Sequence, residues 1–144
     1  MYKVNIFGST GTIGKKTLKI LKSQFHKYKI NYLVANNNYK LLSKQANYFN
    51  PESIGIINDK HYFKLKKLIK NKKINIFVGE SCYRNFNKVD YTINAISGIS
   101  ALKPMEKIIK NSKTVGIINK ESIVSAGKFI TSLSQKNKTQ IVPL

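Results

Sequence analysis

A chain of 144 residues is one domain's worth, long enough to bury roughly 68–70% of its unfolded surface. With 42% hydrophobic and 22% charged residues it is not a disordered chain, no run approaches the roughly 18 apolar residues of a membrane span, and the single cysteine, Cys82, excludes an internal disulfide framework and a four-cysteine zinc site. The net charge of +20 comes from 25 lysines and one arginine, Arg84; the lysines are scattered along the chain and nucleic-acid readers favour arginine, so this is a solvated basic surface with no nucleic-acid partner.

In chain order, Tyr2–Phe7 is a short β-type run, Gly8–Gly14 is glycine-rich, and Thr12–Gln24 has helical spacing through Ile13, Thr17, Leu18, Ile20 and Leu21. Lys29–Ala35 is a second strand, Asn36–Asn38 a polar turn, and Tyr39–Phe49 a helix stopped by Asn50-Pro51. Ser53–Ile57 is a third strand. Asp59 is placed to cap a helix that runs to Lys70, with Tyr62, Leu65, Leu68 and Ile69 on one face. Lys64–Lys73 carries six lysines and reads as a solvated helix end. Ile74–Val78 is a fourth strand, Glu80–Phe86 a short turn or helix, and Tyr91–Ile96 a fifth strand followed by the small-residue loop Ser97–Ala101. Lys103–Lys110 is a helix with Pro104 in its first turn, where proline is tolerated. Thr114–Ile118 is a sixth strand, Ser122–Gln135 a helix, and Thr139–Val142 a seventh strand.

Short, nearly continuous apolar strands alternating with helices predict an α/β fold. The sheet is doubly wound and mostly parallel, with helices on both faces. The glycine segment Gly8-Ser9-Thr10-Gly11-Thr12-Ile13-Gly14 follows the first strand and opens the first helix. In that context the first glycine permits a tight turn, the second lets backbone approach a phosphate, and the third lets helix and strand pack closely. The helix N-terminus then faces an anion. This is a dinucleotide-binding, Rossmann-like signal, with GxxGxxG spacing in place of the commoner GxGxxG. NAD sites usually place a carboxylate at the end of the second strand. Here stand Asn36, Asn37 and Asn38, then Lys40. The amides can donate hydrogen bonds and no carboxylate repels a 2′-phosphate, which favours NADP; the bland alternative is an asparagine turn, since asparagine tolerates positive φ.

Two further segments complete a pattern: Asn94-Ala95-Ile96-Ser97-Gly98, continuing to Leu102-Lys103-Pro104, and Asn119-Lys120-Glu121-Ser122-Ile123-Val124-Ser125-Ala126-Gly127. Together with GSTGTIG, these resemble the signature segments of the 1-deoxy-D-xylulose-5-phosphate reductoisomerase family, from Val4 to Leu144. The resemblance implies that residues 1–144 are an NADPH-binding domain. Its cofactor residues would be Gly8, Ser9, Thr10, Gly11, Thr12, Ile13, Gly14, Asn36, Asn37, Asn38, Ala95, Ile96, Asn119 and Glu121, and Lys120 would contact a small phosphorylated substrate. It implies a cytoplasmic, homodimeric enzyme that isomerises its substrate and reduces it with NADPH to 2-C-methyl-D-erythritol 4-phosphate, in isoprenoid biosynthesis.

The family commonly has glycine where this chain has Asn36. It also continues from a Pro-Val or Pro-Leu pair into Asp-Ser-Glu, which holds Mg²⁺ or Mn²⁺. This sequence reaches Pro143-Leu144, so the metal ligands and catalytic residues are expected beyond Leu144, and the 144 residues alone are expected to bind cofactor without turnover. The chain looks cut there. The competing readings are a homoserine-dehydrogenase-type NADP domain, against which NKESIVSAG speaks, and a basic nucleic-acid-binding domain. His26 and His61 read as separate surface residues, Cys82 as packing, and the six acidic residues form no spaced pair.

Overall fold

The computed structural model describes residues 1–118 and 120–144, and the side chains of all of these except residues 120–123 and 125. Strands β1 (Tyr2–Phe7), β2 (Tyr28–Ala35), β3 (Ser53–Ile56), β4 (Asn75–Val78), β5 (Val89–Asn94), β6 (Ser112–Ile117) and β7 (Gln140–Pro143) form one sheet in the order β4-β3-β2-β1-β5-β6-β7. Every pairing is parallel. A parallel strand needs both faces covered, and the alternation of side chains along β1 shows how this is met. Val4 and Ile6 join one core with Leu18 of α1 (Thr12–Ser23), Leu42 and Ala46 of α2 (Tyr39–Phe49), and Leu65 of α3 (Tyr62–Leu68). Phe7 turns to the other core, with Met105, Ile108 and Ile109 of α4 (Met105–Lys110) and Ile130 of α5 (Lys120–Asn137). The doubly wound arrangement expected from the sequence is therefore present. Between β1 and β5 the order reverses, which opens a crevice beyond the carboxyl ends of the strands.

Element ends differ from the expected ones where local polar bonds intervene. A 3₁₀ turn, Asp59–His61, precedes α3, and its cap is Asn58, whose Oδ1 accepts from the Lys60 N–H at 3.3 Å, rather than Asp59. The helix ends at Leu68, since Ile69 is already extended (φ −77°, ψ 120°). β5 starts at Val89 and ends at Asn94, two residues earlier than Ile96 at the far end, because Asn94 turns its amide onto the Ala101 carbonyl at 2.9 Å. The 3₁₀ turn Ile99–Leu102 takes up the following residues, and Pro104 stands just before α4. α2 stops at Asn50 with φ +49°, a left-handed conformation that asparagine accepts at low cost. Asn31, bulged out of the β1–β2 register, donates to Asn5 Oδ1 at 3.0 Å inside the sheet. The lysines of 64–73 are exposed as expected, while His61 is half-buried against Tyr39, with ring centroids 4.9 Å apart.

At the opposite end of the strands, Asp90 ties β5 to its neighbours. Its carboxylate accepts from Lys113 Nζ at 2.8 Å and from the Lys3 backbone N–H at 2.9 Å. These bonds, the Lys113 one foremost, hold its pKa below the ordinary carboxylate value. A lowered pKa stabilises the fold above the unfolded-state value, roughly 4, and that stability is lost as pH falls through the folded value. Asp90→Asn is therefore expected to cost up to about 1 kcal/mol at pH 7, the scale of a solvent-screened pair. In urea denaturation the difference between the two proteins should shrink as pH falls below the unfolded-state value and through the folded one.

Candidate functional site

A cavity of about 430 Å³ lies in the crevice. The loop after β1 contributes Gly8, Thr10 and Gly11, the end of β2 Val34, Ala35 and Asn36, and the end of β3 Ile57. The opposite wall comes from Ala95, Ile96, Ser97 and Ser100 after β5, with Tyr83 and Lys103 at its edge. Segments that follow four adjacent strands, β3, β2, β1 and β5, thus meet at the carboxyl ends of those strands, the position at which open α/β sheets bind ligands.

The three glycines of the loop have different physical duties. Gly8 has φ +80°, and an added Cβ would lie 2.7 Å from the Ala95 carbonyl oxygen. Its N–H and that of Ser9 both donate to the Val34 carbonyl, at 2.8 and 3.0 Å. An added Cβ on Gly14 would lie 2.2 Å from the Gly8 oxygen and 2.6 Å from Ser9 Cα, so helix and loop touch backbone to backbone. Gly11 differs from both. Its backbone is ordinary extended chain (φ −76°, ψ 176°), and a Cβ there would meet only the Gly8 oxygen at 3.5 Å, an ordinary contact. Gly8 and Gly14 are thus required by the protein itself, whereas the protein has room for a side chain at Gly11. Gly11 also precedes α1, which has no side-chain cap and no acidic residue in its first turn, so the positive end of the helix dipole meets no charge of its own sign's complement. The bare backbone at Gly11 and the uncapped helix fit a phosphate of a dinucleotide cofactor.

Of the residues expected from the sequence, Gly8, Thr10, Gly11, Asn36, Ala95 and Ile96 line this cavity. Ser9 does not: it is fully buried under the loop, its carbonyl accepting from Gln45 Nε2 at 2.9 Å. Gly14 is buried in the helix–loop contact, and Thr12 and Ile13 lie exposed in the first turn of α1. Asn38 caps α2, its Oδ1 accepting from the Leu41 N–H at 3.1 Å, and Asn37 Oδ1 accepts from Asn58 Nδ2 at 2.8 Å. Asn119 lies outside the described residues, as do the side chains of Lys120 and Glu121; α5 begins at Lys120, beyond the carboxyl end of β6.

The sequence reading missed Ile57, Tyr83, Ser97, Ser100 and Lys103. Ser97 and Lys103 stand within the quoted motif around Asn94–Pro104, but Tyr83 carries no local signal, since only the fold brings it beside the crevice. Burial first, and then the charge of Glu80, raise the Tyr83 pKa, so its phenol stays protonated and able to donate. Lys103 Nζ stands 4.0 Å from Glu80 Oε1, with both side chains well exposed, too loose a pair to occupy the ammonium. Cys82 is packing: it is buried, burial pushes its thiol up to about 12, and its carbonyl accepts from the Tyr32 hydroxyl at 2.9 Å. Among the described residues no three His, Cys, Asp or Glu side chains converge as metal ligands, and no helix is long and apolar enough to cross a membrane.

Residues 4–127 match the family profile of 1-deoxy-D-xylulose 5-phosphate reductoisomerase. The chain belongs to this family. A reductoisomerase of Pelagibacter ubique is 40% identical over 148 residues, a match covering all of this chain and 38% of that protein. One from Ehrlichia canis is 38% identical over 147 residues, again across the whole chain and 38% of the relative. The chain thus spans 38% of the length of each of these two reductoisomerases. Among solved structures, the Zymomonas mobilis reductoisomerase in complex with NADPH superposes with a TM-score of 0.90 at 29% identity, over 99% of this chain and 38% of that one. A reductoisomerase solved with NADPH, fosmidomycin and magnesium gives 0.88 at 26%, over 99% and 36%. Both likenesses extend over 99% of this chain, so the fold described above is that of these reductoisomerase segments.

The contrast between glycines is testable without any ligand. Gly14→Ala must displace backbone and is expected to lower stability by 1 kcal/mol or more, of order a strained small-to-large change. Gly11→Val should keep the thermal midpoint within a few degrees, roughly the effect of 0.5 kcal/mol on a domain of this size. Thermal unfolding followed by circular dichroism reads both; equal losses would show that Gly11 is also held by the protein's own packing.

Proposed function

We propose that this chain is the NADPH-binding domain of a 1-deoxy-D-xylulose 5-phosphate reductoisomerase. The observation that carries the reading is Gly11, a bare backbone position at the uncapped start of α1, where the protein leaves room that a cofactor phosphate would use. Gly8, Thr10 and Gly11 would hold the pyrophosphate through backbone, and the Asn36–Asn38 turn would face the adenosine ribose. Ala95 and Ile96 would flank the cofactor on the β5 side. No carboxylate stands at the end of β2 to select a free 2′-hydroxyl, and Lys40 adds positive charge beside the turn. NADPH supplies a hydride when bound; the chain's part is to bind it, orient it and shield one side of it.

In the whole enzyme, the substrate would be a small phosphorylated sugar that is isomerised and reduced toward 2-C-methyl-D-erythritol 4-phosphate, serving isoprenoid biosynthesis in the cytoplasm, with the protein acting as a homodimer. Lys120 would contact that substrate, and Asn119 and Glu121 the cofactor. The divalent cation would be held by residues outside these 144, and turnover would need them. The relatives are more than twice as long, which supports assigning catalysis to the portion not covered here. Without the cation, negative charge developing on the substrate oxygens would go unneutralised.

Isothermal titration of the 144-residue protein is expected to show tighter binding of NADPH than of NADH by about 1–3 kcal/mol, the scale of one or two charge-assisted hydrogen bonds. Gly11→Val should abolish binding of both. With substrate and Mn²⁺ added, NADPH oxidation should stay at background. Equal affinity for the two cofactors would remove the NADP assignment, full binding by Gly11→Val would move the pyrophosphate elsewhere, and turnover in the ordinary enzymatic range of roughly 1–10³ s⁻¹ would place the catalytic groups within these residues.

A further inference from the structure

We infer that Asn58, in the turn after β3, is a positioning residue that makes the cofactor site selective for a 2′-phosphate by fixing the orientation of the Asn37 amide. The inference rests on the proposed placement of the adenosine ribose at Asn36–Asn38. Two bonds join the turns. The Asn58 backbone N–H donates to the Asn36 carbonyl at 3.0 Å, and Asn58 Nδ2 donates to Asn37 Oδ1 at 2.8 Å. The Asn58 side chain is itself oriented, because its Oδ1 accepts from the Lys60 N–H at 3.3 Å and so its Nδ2 is the end turned to Asn37.

The consequence follows from the two ends of an amide. An asparagine side chain has one acceptor end and one donor end. Asn37 has its acceptor end engaged by Asn58, and its Nδ2 makes no hydrogen bond to the described residues. The group presented outward from this exposed turn is thus a pair of N–H donors. A phosphate has only acceptor oxygens to offer when fully ionised, so it takes such donors, and a carbonyl end would repel it. Asn38 is oriented independently of Asn58, since its Oδ1 accepts from the Leu41 N–H at the start of α2. A hydroxyl, which both donates and accepts, would bind either end of Asn37 and would not need the orientation. The share of the discrimination carried by Asn37, between a ribose with and without the 2′-phosphate, therefore depends on Asn58, which needs no contact with the ligand.

Asn58→Asp tests this at nearly constant shape. Aspartate keeps the oxygen that accepts from Lys60 but offers Asn37 a carboxylate in place of an N–H, so the Asn37 amide should reverse and turn its carbonyl outward. Asn58→Ala removes the orienting bond without adding charge. Both are compared with wild type by isothermal titration of 2′,5′-ADP and of 5′-AMP, which differ only in the 2′-phosphate. Wild type should prefer 2′,5′-ADP. Asn58→Asp should weaken 2′,5′-ADP by about 10-fold, the effect of one charge-assisted bond reversed, and leave 5′-AMP within about 2-fold. Asn58→Ala should lose a smaller part of the same preference. A wild-type ratio kept by both variants would overturn the inference while leaving the NADPH reading intact, and a parallel loss for both ligands would overturn it in favour of a merely structural turn. A wild type with no preference would instead overturn the 2′-phosphate reading, and this inference with it.

Discussion

The Val34 carbonyl accepts two hydrogen bonds, from the N–H groups of Gly8 and Ser9, and the geometry of the whole crevice depends on the loop they pin. With the loop drawn onto the end of β2, Gly8 lies against the Ala95 carbonyl of the strand on its other side, and Gly14 lies against Gly8. No Cβ fits at either contact. The first turn of α1 is thereby held directly above the point where the strand order reverses. A longer loop, or one with side chains at these two positions, would lift the helix away and widen the crevice beyond the reach of a phosphate.

The rest of the architecture serves to keep those three strands in place. β1 lies in the middle of a seven-stranded sheet with its apolar side chains divided between two cores, so it has no solvent edge along which to shift. Phe7, the last residue of β1, packs edge-on against both Tyr32 and Phe86, with ring centroids 5.7 and 5.2 Å apart. Tyr32 in turn donates its hydroxyl to the Cys82 carbonyl. This aromatic cluster, directly beneath the loop, transmits the rigidity of the core to the backbone that would meet the cofactor.

Much of this was legible in the sequence because its signals are local. Strand–helix alternation, the stop at Asn50-Pro51 and the glycine loop each act within a few residues, and the fold follows them closely. What escaped reading is nonlocal. Tyr83 reaches the crevice only because the 3₁₀ turn Gly79–Tyr83 folds back under it, and the bulge at Asn31 exists because two buried asparagines in neighbouring strands pair. Ser9 shows the converse: it sits inside the most recognisable motif of the chain, yet its side chain points into the protein because the loop must turn there. The three asparagines read alike in sequence, and only their partners, Asn58 for one and the α2 backbone for another, separate their roles.

The central claim is that the bare backbone from Gly8 to the first turn of α1 receives a cofactor phosphate. Amide nuclear magnetic resonance of the ¹⁵N-labelled protein, titrated with NADPH, addresses it residue by residue. The largest shifts are expected at Gly8, Gly11, Thr12 and Ile13, with a second group at Ala95 and Ile96 across the crevice. The basic cavity at the opposite end of the sheet, lined by Lys88, Lys110, Lys113 and Lys138, should stay unmoved. Shifts concentrated there, with Gly11 and its neighbours unchanged, would contradict the account and make the lysine-rich surface the anion-binding feature of this chain.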